Sequence, residues 1–168
     1  NASASLSVSN PHCLSVAARI AIDNHQKNTM RSFVDKMRKA YLNVDDEGKV
    51  SPLINEDFFK YVEEHQDFIE ATIDYNRDFL FDFFGFRTFQ KSYSTKVNDK
   101  PIERPQDMYM RTAIALNMNT ELDIAVEHAN IKETYDLLSL KFYTHASPTY
   151  YNTGGQYPQY ASCFLLGT

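Results

Sequence analysis

The sequence predicts a mostly α-helical chain that leads into one strand near its carboxyl-terminal end. Apolar side chains recur at helical spacing over most of the 168 residues. Alternation is confined to residues 93–102, and a final apolar run at residues 160–166 follows a loop with glycine and proline, as expected of a buried strand. The chain begins at Asn1 and ends two residues after that run, so we expect it to be a piece of a larger protein.

The amino-terminal part is expected to be helical apart from one turn. A helical stretch begins after Pro11 and keeps its apolar periodicity as far as Tyr41, which predicts one long helix or two in succession. Turn-forming residues fill positions 43–52. The side chain of Asn55 is suited to cap a helix that begins at Glu56.

The middle of the chain combines an aromatic-dense run with a short hairpin. Most phenylalanines of residues 75–93 are expected in the core, and Gly85 predicts a break between two short helices. Residues 93–102 alternate and contain the pair Asn98 and Asp99, which predicts a small hairpin.

Two further helices and a loop complete the predicted order of elements. Pro105 is typical of the first position of a helix, which we expect to continue to about Asn117. A second helix is expected at about residues 121–142, because its apolar residues share one face. Residues 145–156 form a loop before the predicted strand of residues 160–166.

Composition excludes several classes of protein. The chain has 17 Lys and Arg against 22 Asp and Glu, a net charge of -5, so we expect no binding of polymeric nucleic acid. No apolar run approaches the roughly 20 residues of a membrane span, and the first residues lack the pattern of a signal peptide. We therefore expect a cytoplasmic protein that does not insert into membranes.

The residues that could bind a metal follow no recognised spacing. The two cysteines, Cys13 and Cys163, are far apart and form no zinc-site pattern, and the acidic residues form no calcium loop. His25, His65 and His128 lie on polar helical stretches and are expected at the surface. We therefore expect this chain to bind no metal and no cofactor by itself.

Cys163 is the main candidate for chemistry, because it follows Ser162 and a polar loop. Two interpretations remain open from the residues alone. A lone strand cysteine is most often a buried thiol that behaves as a small apolar side chain. A functional thiol needs access and a partner thiol or base, and Cys13 lies too many elements away to be an expected partner.

Six strings occur in the order and approximate spacing of one family. They are YNRDF at 75–79, FFGF at 83–86, ERPQ at 103–106, MYMR at 108–111, THASPT at 144–149 and SCFLL at 162–166. Together they resemble the large catalytic subunit of class I ribonucleotide reductase, particularly its eukaryotic and viral type, over essentially the whole chain. Asp107 and Ala161 depart from the residues that the family often has there.

The resemblance implies an oxidoreductase that reduces ribonucleoside diphosphates to deoxyribonucleotides by radical chemistry on a ten-stranded α/β barrel. Cys163 matches the first of two cysteines that deliver electrons and become a disulfide. Ser147 and Ser162 match serines that contact the substrate. The partner cysteine, the radical cysteine and the proton-handling residues are expected outside this sequence.

The resemblance also implies a division of the chain and a set of partners. Residues 1–12 are expected to be a remnant of the ATP-cone region, residues 13–143 a helical region, and residues 144–168 the substrate loop and first barrel strand. The implied partners are a small subunit that holds a diiron centre and a tyrosyl radical, thioredoxin or glutaredoxin, and a second large subunit. ATP and deoxynucleoside triphosphates are implied as allosteric effectors.

Two alternatives stay open beside this hypothesis. One is a non-catalytic helical interaction module that has lost the barrel. The other is a cobalamin-dependent ribonucleotide reductase, which shares the barrel but generates its radical differently. The closeness of the helical strings favours the class I enzyme.

Overall fold

Helices dominate the structure, a computed structural model that describes residues 12–118 and 120–163. Over these ranges there are eight α-helices: α1 (His12–Lys27), α2 (Phe33–Tyr41), α3 (Glu56–Glu64), α4 (Gln66–Thr72), α5 (Phe83–Thr88), α6 (Pro105–Asn117), α7 (Ile124–Ser139) and α8 (Ser147–Asn152). A 3₁₀ turn (Tyr75–Leu80) and a π-helical turn (Phe89–Tyr93) flank α5. The prediction of a mostly helical chain is confirmed. None of these described helices combines the length and apolarity that crossing a membrane requires.

The short hairpin lies inside the alternating segment. Strands β1 (Lys96–Val97) and β2 (Lys100–Pro101) pair antiparallel. Asn98 and Asp99 between them have φ of 51° and 58°, the left-handed conformation that a tight two-residue turn requires. Asn and Asp tolerate this conformation better than most residues, which explains why this pair forms the turn.

Local capping signals place several helix starts where the sequence predicts them. The Asn55 side chain accepts a hydrogen bond from the backbone N–H of Phe58 at 2.8 Å, so α3 begins at Glu56. Pro105 occupies the first turn of α6, which ends at Asn117 as expected. The first helical stretch forms two helices, α1 and α2, and the Ser32 side chain caps the second.

Two predicted boundaries are wrong. Gly85 does not separate helices but lies inside α5, because its backbone N–H donates to the Asp82 carboxylate at 2.6 Å and forms the helix cap. The break falls before Asp82, after the 3₁₀ turn. Helix α7 is shorter than predicted, because Asp123 caps its start and Lys141, with φ of 65°, lies just past its end.

The carboxyl-terminal segment differs most from the prediction. Helix α8 forms inside the expected loop of residues 145–156, where Pro148 occupies its first turn and Tyr150 is buried. Residues 160–163 are exposed and form no strand, so the predicted buried strand is wrong there, and its remainder at 164–166 lies outside the described residues. A strand needs neighbouring strands for its backbone hydrogen bonds, and no strand or bridge among the described residues pairs with this segment.

Helix α6 occupies the centre of the fold. Its residues from Pro105 to Ile114 are all buried, and α7 packs along it. The fully buried Tyr135 of α7 donates its hydroxyl hydrogen to the Gln106 side chain at 3.0 Å and accepts the backbone N–H of Asp74 at 3.0 Å. A central helix buried on all sides explains why α6 shows no clear apolar face.

Candidate active site

The three predicted site residues fall into two groups. Ser162 and Cys163 are exposed neighbours, and the Ser162 hydroxyl lies 3.9 Å from the Cys163 sulfur. Ser147 begins α8 and is half-buried. Among the described residues no hydrogen bond joins Ser147 to the other two. Cys163 is therefore an accessible thiol in this structure rather than the buried one that a strand would give.

Ser147 contacts a residue that the sequence does not single out. Its hydroxyl lies 2.8 Å from the hydroxyl of Tyr93, at the end of the π-helical turn. The Tyr93 ring stacks on Tyr151 with centroids 5.1 Å apart and meets Tyr150 edge-on at 6.2 Å. Tyr93 thus docks onto α8 through both its ring and its hydroxyl. Because 54 residues separate it from Ser147, no spacing pattern could have revealed it.

The segment after α8 is anchored to the start of α3. The backbone N–H of Asn55 donates to the Gly154 carbonyl at 2.9 Å, and the Asn55 side chain donates to the Gly155 carbonyl at 2.9 Å. Gly154 has φ of 73° and packs on Phe58, whose ring atoms would lie 3.1 Å from an added Cβ. Glycine is required there both by the backbone conformation and by the close approach of the ring.

A buried ion pair fixes the same segment to α6. The guanidinium of Arg111 donates to both carboxylate oxygens of Glu103, at 2.6 and 3.2 Å, and to the Thr153 carbonyl at 2.7 Å. Thr95 adds its backbone N–H and its hydroxyl to Glu103 at 3.0 and 2.7 Å. Burial alone would raise the pKa of Glu103, but Arg111 and these donors outweigh it and hold the pKa below its ordinary value.

A second buried ion pair involves Asp107, one turn before Arg111 on α6. The ammonium of Lys36 donates to Asp107 at 2.6 Å, and neither side chain is exposed. The Tyr75 hydroxyl and the Arg104 backbone N–H also donate to this carboxylate. Burial lowers the pKa of Lys36 and raises that of Asp107, against the attraction between them. The departure at Asp107 therefore concerns the core, where Lys36 compensates its charge.

His25 is buried, so its predicted surface position is wrong. Its Nε2 donates to the Glu103 carbonyl at 2.9 Å, and its Nδ1 accepts from the Gln90 side chain at 3.1 Å. This pattern suits the neutral ring, and burial lowers the pKa of His25 accordingly. His65 and His128 are half-buried, and the His128 ring stacks on Phe68 with centroids 3.9 Å apart.

Asp78 gives a testable pH dependence. It is fully buried and accepts hydrogen bonds from the Gln26 side chain at 2.7 Å and the Gln106 backbone at 3.2 Å. Burial raises its pKa to about 7. Because the folded pKa lies above the unfolded one, the folded state holds the proton more tightly, and stability is lost as the pH rises from about 4 to about 7.

We expect Asp78→Asn to remove this loss. Asn keeps an acceptor for Gln26 but carries no charge. The free energy of unfolding of the variant, relative to that of the wild type, should therefore rise by up to about 4 kcal/mol as the pH rises from about 4 to about 7. Guanidinium unfolding at several pH values measures the difference. Asp57→Asn, at an exposed carboxylate, is the control and should follow the wild-type curve. Parallel curves for Asp78→Asn and the wild type would show that Asp78 does not titrate in this range.

Tyr93 separates two cavities. One, of about 280 Å³, is lined by hydroxyl-bearing residues together with Lys96 and Arg111. The other, of about 350 Å³, is lined mainly by aromatic side chains and by His145. Within residues 12–118 and 120–163, no group of three His, Cys, Asp or Glu side chains is arranged to hold a metal ion. Both cavities offer hydrogen-bonding groups that suit a polar organic ligand.

Comparison with known proteins identifies what the chain is similar to. The family model described as ribonucleotide reductase, all-alpha domain, matches residues 79–158. Three similar proteins are each named ribonucleoside-diphosphate reductase large subunit. That of Arabidopsis thaliana is 39% identical over 164 residues, that of Plasmodium falciparum 39% over 161 residues, and that of Variola virus 40% over 164 residues.

These alignments cover nearly all of this chain but a small part of each relative. They include 97%, 96% and 97% of the chain, respectively, and 19%, 19% and 20% of the relatives. The chain therefore spans about a fifth of the length of the curated relatives that it matches. The match to the family model includes Tyr93, Arg111 and Ser147 and ends before Ser162 and Cys163.

Proposed function

Because the chain belongs to the family of ribonucleotide reductase large subunits, we propose that the full-length protein reduces ribonucleoside diphosphates to 2'-deoxyribonucleoside diphosphates by radical chemistry. The observation that carries this proposal is the identity of about 40% over 164 residues to large subunits from a plant and a virus. The family model adds the helical residues 79–158, which include α5 to α8.

Cys163 is proposed to supply one of two reducing thiols. Replacing the 2'-hydroxyl of the ribose by hydrogen releases water and requires two electrons and two protons. Two thiols supply both when they form a disulfide. The exposed Cys163 is accessible for this step. The second thiol is proposed to lie elsewhere in the full-length protein, because Cys13 is half-buried on α1 and both cysteines are free.

Ser147 and Ser162 are proposed to bind the substrate. A serine hydroxyl can donate to a phosphate or ribose oxygen and can accept a hydrogen bond at the same time. Ser162 is exposed next to the proposed thiol. Ser147 is held on α8, whose far end is fastened to α6 through Thr153 and Arg111. A serine on an anchored element keeps its direction better than one on an unanchored loop.

The partners proposed follow from the same family membership. The full-length protein is proposed to be cytoplasmic. A small subunit holding a diiron centre and a tyrosyl radical would start the reaction, and thioredoxin or glutaredoxin would reduce the disulfide. A second large subunit and the effectors ATP and deoxynucleoside triphosphates complete the proposed assembly. This chain's own residues are proposed to hold the substrate and one thiol, and not the radical cofactor.

The test is reductase activity of two matched proteins. The full-length protein, supplied with its small subunit and a dithiol reductant, should convert CDP to dCDP. The isolated 168-residue chain should not, because its two cysteines are free and far apart in sequence. Formation of dCDP by the isolated chain would contradict the assignment of a second thiol outside it. Failure of the full-length protein to form dCDP would instead favour a non-catalytic helical module.

A further inference from the structure

We propose that Tyr93 is a positioning residue that directs the hydroxyl of Ser147 toward an anionic oxygen of the bound nucleotide. This inference rests on the proposed function, because it assigns a partner to a proposed substrate-binding serine. The observation behind it is the 2.8 Å contact between the two hydroxyl oxygens. Nothing in the sequence pattern joins these residues.

The geometry holds Tyr93 firmly against α8. Its backbone follows the π-helical turn, which closes with the Ser94 N–H donating to the Phe89 carbonyl at 3.0 Å. Its ring stacks on Tyr151 with an interplanar angle of 25° and meets Tyr150 at 78°. Because both of these tyrosines belong to α8, the Tyr93 hydroxyl and the Ser147 hydroxyl keep their separation when α8 moves as a body.

Hydrogen-bond counting explains why a tyrosine is useful here. A serine hydroxyl has one hydrogen to donate and two lone pairs to accept. If Tyr93 donates its own hydrogen to the Ser147 oxygen, the Ser147 hydrogen can turn from the neighbouring Tyr151 hydroxyl, with which Ser147 also interacts, to the ligand. The donated bond also polarises the Ser147 O–H, which strengthens its bond to a negatively charged oxygen. Phenylalanine keeps the ring contacts but cannot do this.

The surroundings of Tyr93 offer polar groups to a ligand. Tyr93 forms the wall shared by the two cavities described above. Lys96 and Arg111 line the first cavity, where Lys96 supplies a positive charge and the charge of Arg111 is balanced by Glu103. His145 lines the second, and its Nε2 is buried without a hydrogen-bond partner among the described residues. The Tyr150 hydroxyl, which accepts the His145 backbone N–H at 3.2 Å, fixes this histidine beside the same wall.

The experiment is a double-variant cycle in the full-length protein with its small subunit. Tyr93→Phe, Ser147→Ala and the double variant are compared by kcat and KM for CDP. Tyr93→Phe should raise KM about fivefold with little change in kcat, because Ser147 keeps its hydroxyl but loses the hydrogen bond that directs and polarises it. Ser147→Ala should raise KM at least as much. The double variant should match Ser147→Ala alone, because Tyr93 acts through Ser147.

A structural role of Tyr93 would give a different pattern. If the hydroxyl only stabilised the fold, its loss would lower the melting temperature and leave KM for CDP unchanged. Tyr41→Phe is the matched control, since its ring stacks on Phe59 at 4.3 Å far along the chain from α8, and it should leave KM unchanged. An unchanged KM in Tyr93→Phe, or additive effects in the double variant, would overturn the inference.

The outcomes also separate this inference from the proposed function. A raised KM in Ser147→Ala with a wild-type KM in Tyr93→Phe overturns only the role of Tyr93. An unchanged KM in Ser147→Ala overturns the substrate contact of Ser147 together with the role of Tyr93. If the wild type forms no dCDP, CDP binding is measured by calorimetry instead of KM. The wild type, Tyr93→Phe, Ser147→Ala and the double variant are compared. A wild type that neither reduces nor binds CDP overturns both proposals.

Discussion

Exchange of Cys163 for serine in the full-length protein should reduce multiple turnover with a thioredoxin system to the assay background, while CDP binding stays close to that of the wild type. Serine is close to cysteine in size, and the side chain at position 163 is exposed, so the fold should tolerate the change. A hydroxyl cannot form a disulfide, however, and the two electrons needed for each ribose would not be delivered.

The measurement is dCDP formed per enzyme over many cycles, together with calorimetric CDP binding. Cys13→Ser is the matched control, because Cys13 is the other free cysteine of the chain and has no proposed role. It should retain wild-type turnover. Normal multiple turnover by Cys163→Ser would contradict the assignment of Cys163 as a reducing thiol. Equal loss in both variants would indicate a general effect of removing a thiol.

Replacement of Arg111 by methionine should destabilise the fold by about 3–5 kcal/mol, the usual cost of leaving a buried charge without its partner. The Glu103 carboxylate is fully buried and receives two hydrogen bonds from Arg111. The variant also removes the donor to the Thr153 carbonyl, which anchors the segment after α8. Guanidinium unfolding at neutral pH, monitored by circular dichroism, measures the loss of free energy.

Two further variants sharpen this prediction. Glu103→Gln added to Arg111→Met removes the uncompensated charge but keeps an acceptor for Thr95, so the double variant should recover much of the stability. Lys60→Met removes an exposed ion pair with Glu56 and should leave the free energy of unfolding nearly unchanged. If the double variant is no more stable than Arg111→Met, the buried charge is not the cause of the loss.

The loss in Arg111→Met should also depend on pH in a defined direction. Without Arg111, burial would raise the pKa of Glu103 in the folded state above its unfolded value. The variant is then most stable where Glu103 is protonated in both states, and it loses stability as the pH rises. Unfolding measured at pH 5 and at pH 8 should therefore show the smaller deficit at pH 5.

The predictable parts of the fold are those that depend on near neighbours in the chain. The starts of α3 and α6 follow from Asn55 and Pro105, because a helix cap or a fixed φ acts within three or four residues. The break assigned to Gly85 failed because Asp82, three residues earlier, supplies a cap that glycine's helix-breaking tendency does not reveal. Local spacing does not predict helix α8, because the burial of Tyr150 against distant elements stabilises it.

The candidate site also has some features that depend on near neighbours in the chain and others that do not. Ser162 and Cys163 lie together because they are adjacent, and the six ordered strings were sufficient to indicate the family. The sequence also suggested a strand at residues 160–163, which the structure does not contain. An apolar run becomes a strand only when other strands provide its backbone partners.

The sequence by itself determined the helical class, the main helix starts and the similarity to large subunits, all of which depend on local spacing and ordered motifs. Only the tertiary structure decided that Tyr93 meets Ser147, that Arg111 neutralises Glu103 and that Lys36 neutralises Asp107. The packing of distant segments determines which charges are buried. It also determines which hydroxyl groups face each other. Local propensity does not encode such pairings, because the free energy of each contact arises only after the chain has excluded water from around it.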